Sequence, residues 1–238
     1  MSQLSYLKEC SSTNDEISKF LLYENSDFVA LHTFNQTQGR GQYGNTWSSA
    51  PEKNLAYTLA VKTENFPLSD FLFNYYTAIV IRDFLANMTD NSVKIKWPND
   101  IILKNKKIAG ILIEKKKINQ KNYFIIGAGF NVLQENFDEL SSAGSILTQT
   151  GMRFNLGEFT LSLHDFLVEK LSKAPSEDNI MNLFNTSLFR KDEISVFELN
   201  ERRQNGIIKN ADKNGNLWID LENDGLLSFY HKEIKLLY

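Results

Sequence analysis

Two stretches of the chain carry the residue types needed to handle small anions. Gln36-Thr37-Gln38-Gly39-Arg40-Gly41-Gln42-Tyr43-Gly44-Asn45-Thr46-Trp47 concentrates three glycines, one arginine and a closing tryptophan. Glycines let a backbone come close to a ligand, and successive N–H groups in such turns form anion-binding concavities. Further on, Lys96-Trp97-Pro98-Asn99-Asp100 sets a cation, an aromatic plate, a rigid turn and a carboxylate side by side. Both stretches border apolar, strand-like runs, and together they point to a site for a nucleotide or an activated acid. Another cation, Lys107, ends the run Lys104-Asn105-Lys106-Lys107. It reads either as one more solvated lysine or, with Ala109-Gly110 and an apolar strand behind it, as a group turned toward a ligand.

The elements that must position these residues follow from periodicity and turn chemistry. Thr13-Asn14-Asp15-Glu16 matches a capping box with Thr13 as N-cap and Glu16 three residues on, followed by Ile17, Phe20 and Leu21 at helical spacing. Strands are expected at 28–34, entering the glycine loop, and at 55–61, leaving it. A long amphipathic helix is expected over 68–87. Strands follow at 93–97, 101–103, 108–113 and 123–130, some joined by short turns such as Lys104-Asn105-Lys106, and helices at 157–173 and 178–189. The texture changes near Arg190. Beyond it the segments are short and β-rich, with hairpin turn signals at Asp212-Lys213-Asn214-Gly215-Asn216 and Asn223-Asp224-Gly225. The expected architecture is therefore α+β: a mixed sheet with helices over 1–189 and a small β-barrel or sandwich over 190–238 packed on it.

Bulk composition excludes several classes. The 238 residues are 42% hydrophobic and 12% aromatic, enough for a sizeable core. A formal charge of −3 lacks the basic excess expected of a protein built to wrap duplex nucleic acid. No N-terminal targeting pattern is visible, since residues 1–14 are polar and mixed, and no apolar run approaches the ~18 residues of a membrane span. A single cysteine, Cys10, permits no internal disulfide and suits a cytoplasmic protein. With no histidine or basic cluster beside it, Cys10 reads as an inert packing residue.

The motifs resemble, in order and spacing, those of biotin–protein ligases: Ser12-Thr13-Asn14, Gln36, Gly39-Arg40-Gly41 through Trp47, Lys96 to Asp100, Lys107 to Glu114, and Gly127-Ala128-Gly129-Phe130-Asn131-Val132. The C-terminal β segment is similar to the SH3-like domain of that family. The resemblance implies a biotin/lipoate ligase-like catalytic domain with a C-terminal SH3-like β-barrel. It implies an enzyme that joins biotin to ATP, forms biotinyl-5′-AMP with release of pyrophosphate, and passes the biotinyl group to one lysine of a biotin carboxyl carrier domain. The first motif begins at Ser12, so a monofunctional ligase without the N-terminal DNA-binding domain of some members is expected. A monomer and a homodimer stay open.

The resemblance also distributes roles. Arg40, Lys96 and Lys107 would offset the charge of two anionic reactants, with Lys107 reaching the biotin carboxylate and the α-phosphate. Asp100 would bind Mg²⁺ or orient a neighbouring lysine. Ser12, Thr13, Asn14 and Gln36 would meet the ureido end of biotin, although Ser12-Thr13-Asn14 also suits plain helix capping. Arg40, Gly41 and Gln42 would flank the ligand, and Gly110 and Ile111 would line its tail. Trp47, Asn99 and Asn131 would serve the nucleotide. Trp97 reads as a structural wall. Many members have a second arginine where this chain has Gln42 and a further basic residue where it has Asn45. Gln42 can donate a hydrogen bond but carries no charge, which implies a less tightly held adenylate unless Arg40 or Lys96 compensates. Rival readings are a lipoate– or octanoate–protein ligase, in which the first two motifs occur in related form, and a non-catalytic biotin or nucleotide sensor. A nucleic-acid-binding module has only the SH3-like tail in its favour.

Overall fold

The computed structural model describes residues 2–22, 26–138 and 140–238. Its main body is a seven-stranded sheet in the order β1-β2-β5-β9-β8-β7-β6. In chain order, β1 is Ser2–Tyr6, β2 Phe28–Thr33, β3 Gly39–Arg40, β4 Thr46–Trp47 and β5 Asn54–Lys62. They are followed by β6 Val93–Lys96, β7 Asp100–Leu103, β8 Lys106–Ile118 and β9 Lys121–Asn131. All neighbours in the large sheet pair antiparallel except β1 and β2, which are parallel. Strands β3 and β4 form a separate two-stranded ribbon within the glycine loop. The β7–β8 hairpin turns through Lys104 and Asn105 at φ 48° and 65°, the left-handed pair that a two-residue turn requires.

Helix α1 (Thr13–Leu21) lies on one face of this sheet, packing Ile17 and Leu21 against Val29, Leu31, Ala60, Tyr123 and Ile125. On the other face lie α2 (Asp70–Thr89), α4 (Leu156–Leu171) and α5 (Glu177–Ser187), while the short α3 (Ile146–Thr150) caps the end of β9 through Leu147 N–H to Val132 O. Ring stacking ties the layers together, with Phe73 over Phe124 at 3.9 Å between centroids and Tyr75 over Phe184 at 3.8 Å. Helix α2 differs from the amphipathic expectation. Twelve of its residues are buried, and Tyr75 to Ile81 are buried without a break, because β6, β7, α4 and α5 enclose it. A helix enclosed along most of its circumference needs little polar stripe.

The start of α1 is a second correction. Its N-cap is Ser12, not Thr13, and the Ser12 side chain does not supply the capping bond. Gln36 does so from the neighbouring loop, its Oε1 accepting from Thr13 N–H at 2.9 Å. Glu16 pairs instead with Lys19 at 2.6 Å. Thr13 and Asn14 are thereby released from local capping and turn inward.

The C-terminal strands are β10 (Ile194–Leu199), β11 (Arg202–Ala211), β12 (Leu217–Leu221), β13 (Gly225–Phe229) and β14 (Lys235–Leu237). They form an antiparallel sheet in the order β13-β12-β11-β10-β14. The sheet stays open among the described residues, since its edge strands β13 and β14 do not pair, so the expected barrel is not closed. Phe197, Ile208, Leu217, Ile219 and Phe229 merge with the main core. Asn185 of α5 fixes the junction by exchanging bonds with Ala211, donating to its carbonyl at 3.0 Å and accepting from its N–H at 2.7 Å.

One buried polar pair gives the core a pH dependence. Tyr57 Oη lies 2.8 Å from His164 Nδ1, with both residues buried. Burial lowers the pKa of His164 below its ordinary 6.5, and it lowers that of His32 likewise. The unfolded chain therefore takes up these protons first as pH falls. Stability is whole above pH 6.5 and drains away as pH descends toward the folded-state values. Thermal melts should show a lower midpoint at pH 5.5 than at pH 7.5, and equal midpoints would contradict this account.

Candidate active site

The site lies on the α1 face of the sheet, and strand alternation explains why. Residues of β9 alternate faces: Phe124, Ile126, Ala128 and Phe130 enter the core beneath α2, leaving Gly127 and Gly129 on the opposite face. Across the sheet, Gly129 pairs with Ala56 of β5 and Gly110 of β8, and Gly127 pairs with Thr58 and Leu112. The first row is small throughout and the second is small at Gly127, where a half-buried strand would ordinarily carry bulky residues, and a shallow floor results. The indole of Trp47 covers the first row so closely that a Cβ on Gly129 would stand 2.6 Å from its Nε1. Asn14 covers the second row, and a Cβ on Gly127 would stand 2.8 Å from both its Cγ and its Nδ2.

Above this floor is a cavity of about 140 Å³. It brings together Ser12, Thr13, Asn14, Gln36, Arg40, Gly41, Gln42, Trp47, Asn99, Asp100, Lys107, Gly110 and Ile111, all singled out from sequence. Small-molecule sites usually exceed about 300 Å³. This one is smaller, and the Trp47 indole and residues of loop 36–47 form part of its wall. Trp47 Nε1 is buried and has no acceptor, an unmet bond that a ligand oxygen or nitrogen would satisfy.

One end of the cavity is lined by hydroxyl and amide groups, with a cluster of ion pairs behind them. Thr13 Oγ1 donates to Gln36 Oε1 at 3.2 Å, and Thr58 Oγ1 lies 2.8 Å from Thr13 Oγ1 and 2.7 Å from Asn14 Oδ1. Asn14 Nδ2 donates to Glu114 Oε2 at 2.9 Å. Arg40 Nη2 reaches the same oxygen at 3.3 Å and Asp15 Oδ1 at 2.7 Å. Lys116 stands beside this group, 3.6 Å from Asp15 Oδ1 and donating to Asn14 O at 2.7 Å.

The other end is charged. Lys107 Nζ sits 2.7 Å from Asp100 Oδ1 and 5.6 Å from the centroid of a Trp47 ring. The backbone of Lys107 is clamped on both sides, its N–H donating to Ser142 O at 2.8 Å and its carbonyl accepting from Gly144 N–H at 3.1 Å. Asn99 is buried and donates to Ile111 O. His231, from the C-terminal sheet region, also lines the cavity. Burial lowers its pKa, which keeps the imidazole neutral near pH 7.

Two residues singled out from sequence stand elsewhere. Lys96 ends the edge strand β6 and lines an adjoining cavity of about 410 Å³ against Phe189, Phe197 and Ile208. Its Nζ lies 4.8 Å from the Tyr238 ring centroid, and burial depresses its pKa. Asn131 is buried at the end of β9, where it donates to Gly144 O at 3.0 Å. It therefore steadies the segment that clamps Lys107 and does not line the cavity. Trp97 donates from Nε1 to Tyr75 Oη at 3.3 Å, as a wall would. Cys10 is isolated, and burial pushes its thiol up to about 11.

Sequence reasoning passed over Thr58, Asp15, His231 and the part played by Glu114. The small-residue alternation Ala56-x-Thr58 opposite Gly127-x-Gly129 was a usable signal for Thr58. The others become visible only once distant segments meet.

Asp100 is the one candidate metal ligand, and its carboxylate is engaged by Lys107. Among the described residues no group of three His, Cys, Asp or Glu side chains could hold a metal ion. The donor set does not fit a resident cation.

The chain belongs to the biotin/lipoate A/B protein ligase family, whose description matches residues 7–131. It is 30% identical over 140 residues to the bifunctional ligase/repressor BirA of Escherichia coli, an alignment covering 58% of this chain and 43% of that protein. It is 26% identical over 150 residues to the biotin–[acetyl-CoA-carboxylase] ligase of Mycobacterium tuberculosis, covering 61% and 55%. The matched part is thus under half of the first relative and little more than half of the second. In fold it is similar to the Aquifex aeolicus biotin protein ligase solved with biotin and ATP, at a TM-score of 0.79 and 23% identity over 100% of this chain and 99% of that one. No described helix is long and apolar enough to cross a membrane.

Proposed function

We propose that the protein is a biotin–protein ligase that attaches biotin, at the expense of ATP, to one lysine of a biotin carboxyl carrier domain. The observation that carries this reading is the polarity of the cavity above the glycine floor. Amide and hydroxyl groups of Thr13, Asn14 and Gln36 line one end, backed by Thr58, an apolar glycine floor follows, and Lys107 marks the other end. Biotin has the same sequence of parts: a ureido ring that both donates and accepts, an apolar ring and tail, and a carboxylate.

In the first step a carboxylate oxygen attacks the α-phosphorus of ATP. A C–O–P mixed anhydride forms and the bond to pyrophosphate breaks. Lys107 would donate to the carboxylate and to the α-phosphate oxygens, offsetting charge that builds as two anions meet. Asp100, 2.7 Å away, would hold the ammonium charged and aimed. Mg²⁺ would arrive as part of the MgATP substrate. Trp47, set on the glycine floor, would offer the nucleotide an aromatic plate, and closure of loop 36–47 would keep water from the anhydride. In the second step the neutral amine of the carrier lysine attacks the acyl carbon and AMP leaves. The acidic balance of 29 carboxylates to 26 cations argues against DNA as a partner and agrees with a cytoplasmic location. The chain would act as a monomer or homodimer.

Mass spectrometry of a carrier domain after incubation with the protein, biotin and MgATP tests the reading. One added biotinyl group on one lysine is expected. Lipoate in place of biotin should give none, and a product with lipoate alone would transfer the protein to the other branch of its family. Gln42 lines the cavity without charge. Replacing a neutral by a charge-assisted bond gains about 1 kcal/mol, so Gln42→Arg should slow release of biotinyl-AMP on the order of fivefold. Equal release rates would mean that Gln42 does not contact the adenylate.

A further inference from the structure

Glu114 stands at the junction of two otherwise separate groups. Its Oε2 accepts from Asn14 Nδ2 at 2.9 Å and from Arg40 Nη2 at 3.3 Å. On one side, Asn14 continues through Thr58 and Thr13 to Gln36 at the entry of loop 36–47. On the other side, Arg40 belongs to the same loop, four residues further on. The contacts thus form a closed circuit: loop, α1, β5, α1, β8 and loop again. Asp15 doubles the closing link at 2.7 Å. Arg40 is the loop's one cation between Gln36 and Trp47, so the whole ionic attachment of the loop to the body of the protein passes through it. Both contacts use Nη2, and Arg40 also lines the cavity.

We propose that Glu114 is a positioning residue for the proposed reaction, holding Arg40 so that loop 36–47 stays shut over the bound acyl-adenylate, with Asp15 as its auxiliary. This rests on the ligase reading. Glu114 would touch neither reactant and would act through Arg40. The link is partly exposed, with side chains 45%, 51% and 26% accessible at Arg40, Asp15 and Glu114. It would therefore be modest in strength and sensitive to salt, as suits a loop that must also open.

The test compares the dissociation rate of biotinyl-AMP from the wild type and from Glu114→Gln, Asp15→Asn, Arg40→Gln and the Glu114→Gln/Arg40→Gln pair. Glu114→Gln keeps an acceptor for Asn14 but loses the charge facing Arg40. It should release the adenylate about fivefold faster and raise the KM for biotin, with a single-turnover rate at saturation close to wild type. Added salt should hasten release from the wild type and hardly affect the Glu114→Gln variant. In the Arg40→Gln background, Glu114→Gln should add nothing. Release unchanged or slowed in Glu114→Gln overturns the proposal, as does an equal effect with and without Arg40, which would place the action of Glu114 on Asn14. Should Glu114→Gln fail to fold, Asp15→Asn must show the same acceleration and the same dependence on Arg40, or the proposal falls. A wild type that forms no adenylate fails the ligase reading itself, and this is seen before any variant is compared.

Discussion

Replacing Lys107 by alanine should lower the rate of acyl-adenylate formation by about 10²–10³-fold, the usual consequence of removing one group that stabilises developing negative charge. The geometry places the effect toward the upper end. Lys107 and Asp100 form a 2.7 Å pair. Truncating the lysine removes the cation and also leaves Asp100 facing two anionic reactants. Folding should hardly change. The strand position of Lys107 is fixed by its backbone bonds to Ser142 and Gly144, which do not involve the side chain, and its ammonium is part of a partly exposed pair. Pyrophosphate release with saturating biotin and MgATP, alongside a thermal melt, gives both numbers. Asp100→Asn should fall between variant and wild type, since it leaves the cation in place but less firmly aimed. Undiminished pyrophosphate release by Lys107→Ala would remove Lys107 from the chemistry.

How much of this was legible beforehand depended on whether a feature was local. Alternation of apolar residues marked β2, β5 and β9 nearly to their ends, whereas β8, expected at 108–113, runs from Lys106 to Ile118, and the turn residues marked two hairpins of the C-terminal sheet. Strand β1 escaped notice because Ser-Gln-Leu-Ser-Tyr is an exposed, mostly polar edge, and only pairing with β2 makes it a strand. The capping signal at Thr13 misled for a related reason: Gln36, distant in sequence, supplies the cap and leaves Thr13 free to face the cavity. Lys96 does pair with Asp100 across the β6–β7 hairpin, but β6 is the sheet edge nearest the C-terminal strands, and its lysine also lines the cleft between the two sheets. Glycines in sequence do not reveal which of them curve a loop and which flatten a floor. Gly39 and Gly41 belong to the loop. Gly127 and Gly129 are flat strand residues whose value is the space above them, and that appears only when β5, β8 and β9 are set side by side.

The floor yields the second large effect. Gly127→Ala should weaken biotin binding by about 10²-fold and leave MgATP binding within a factor of about two, since a misplacement of about 1 Å at a positioning group costs that much. The added methyl would stand 2.8 Å from Cγ and Nδ2 of Asn14 and closer still to Oδ1, well inside ordinary contact. Backbone movement is no remedy, because Gly127 is held in register by Thr58 on one side and Leu112 on the other. Asn14 must therefore yield. It is tied to Thr58, Glu114 and, through its carbonyl, to Lys116, so its displacement disturbs the whole polar end of the cavity. The Lys107 end, one residue row and a tryptophan away, should feel little of it. Calorimetric titration with biotin and with MgATP separates the two ends. A variant that loses affinity for both in equal measure would show that the cavity does not divide into a ureido end and a phosphate end, and the assignment of Thr13, Asn14 and Gln36 to biotin would go with it.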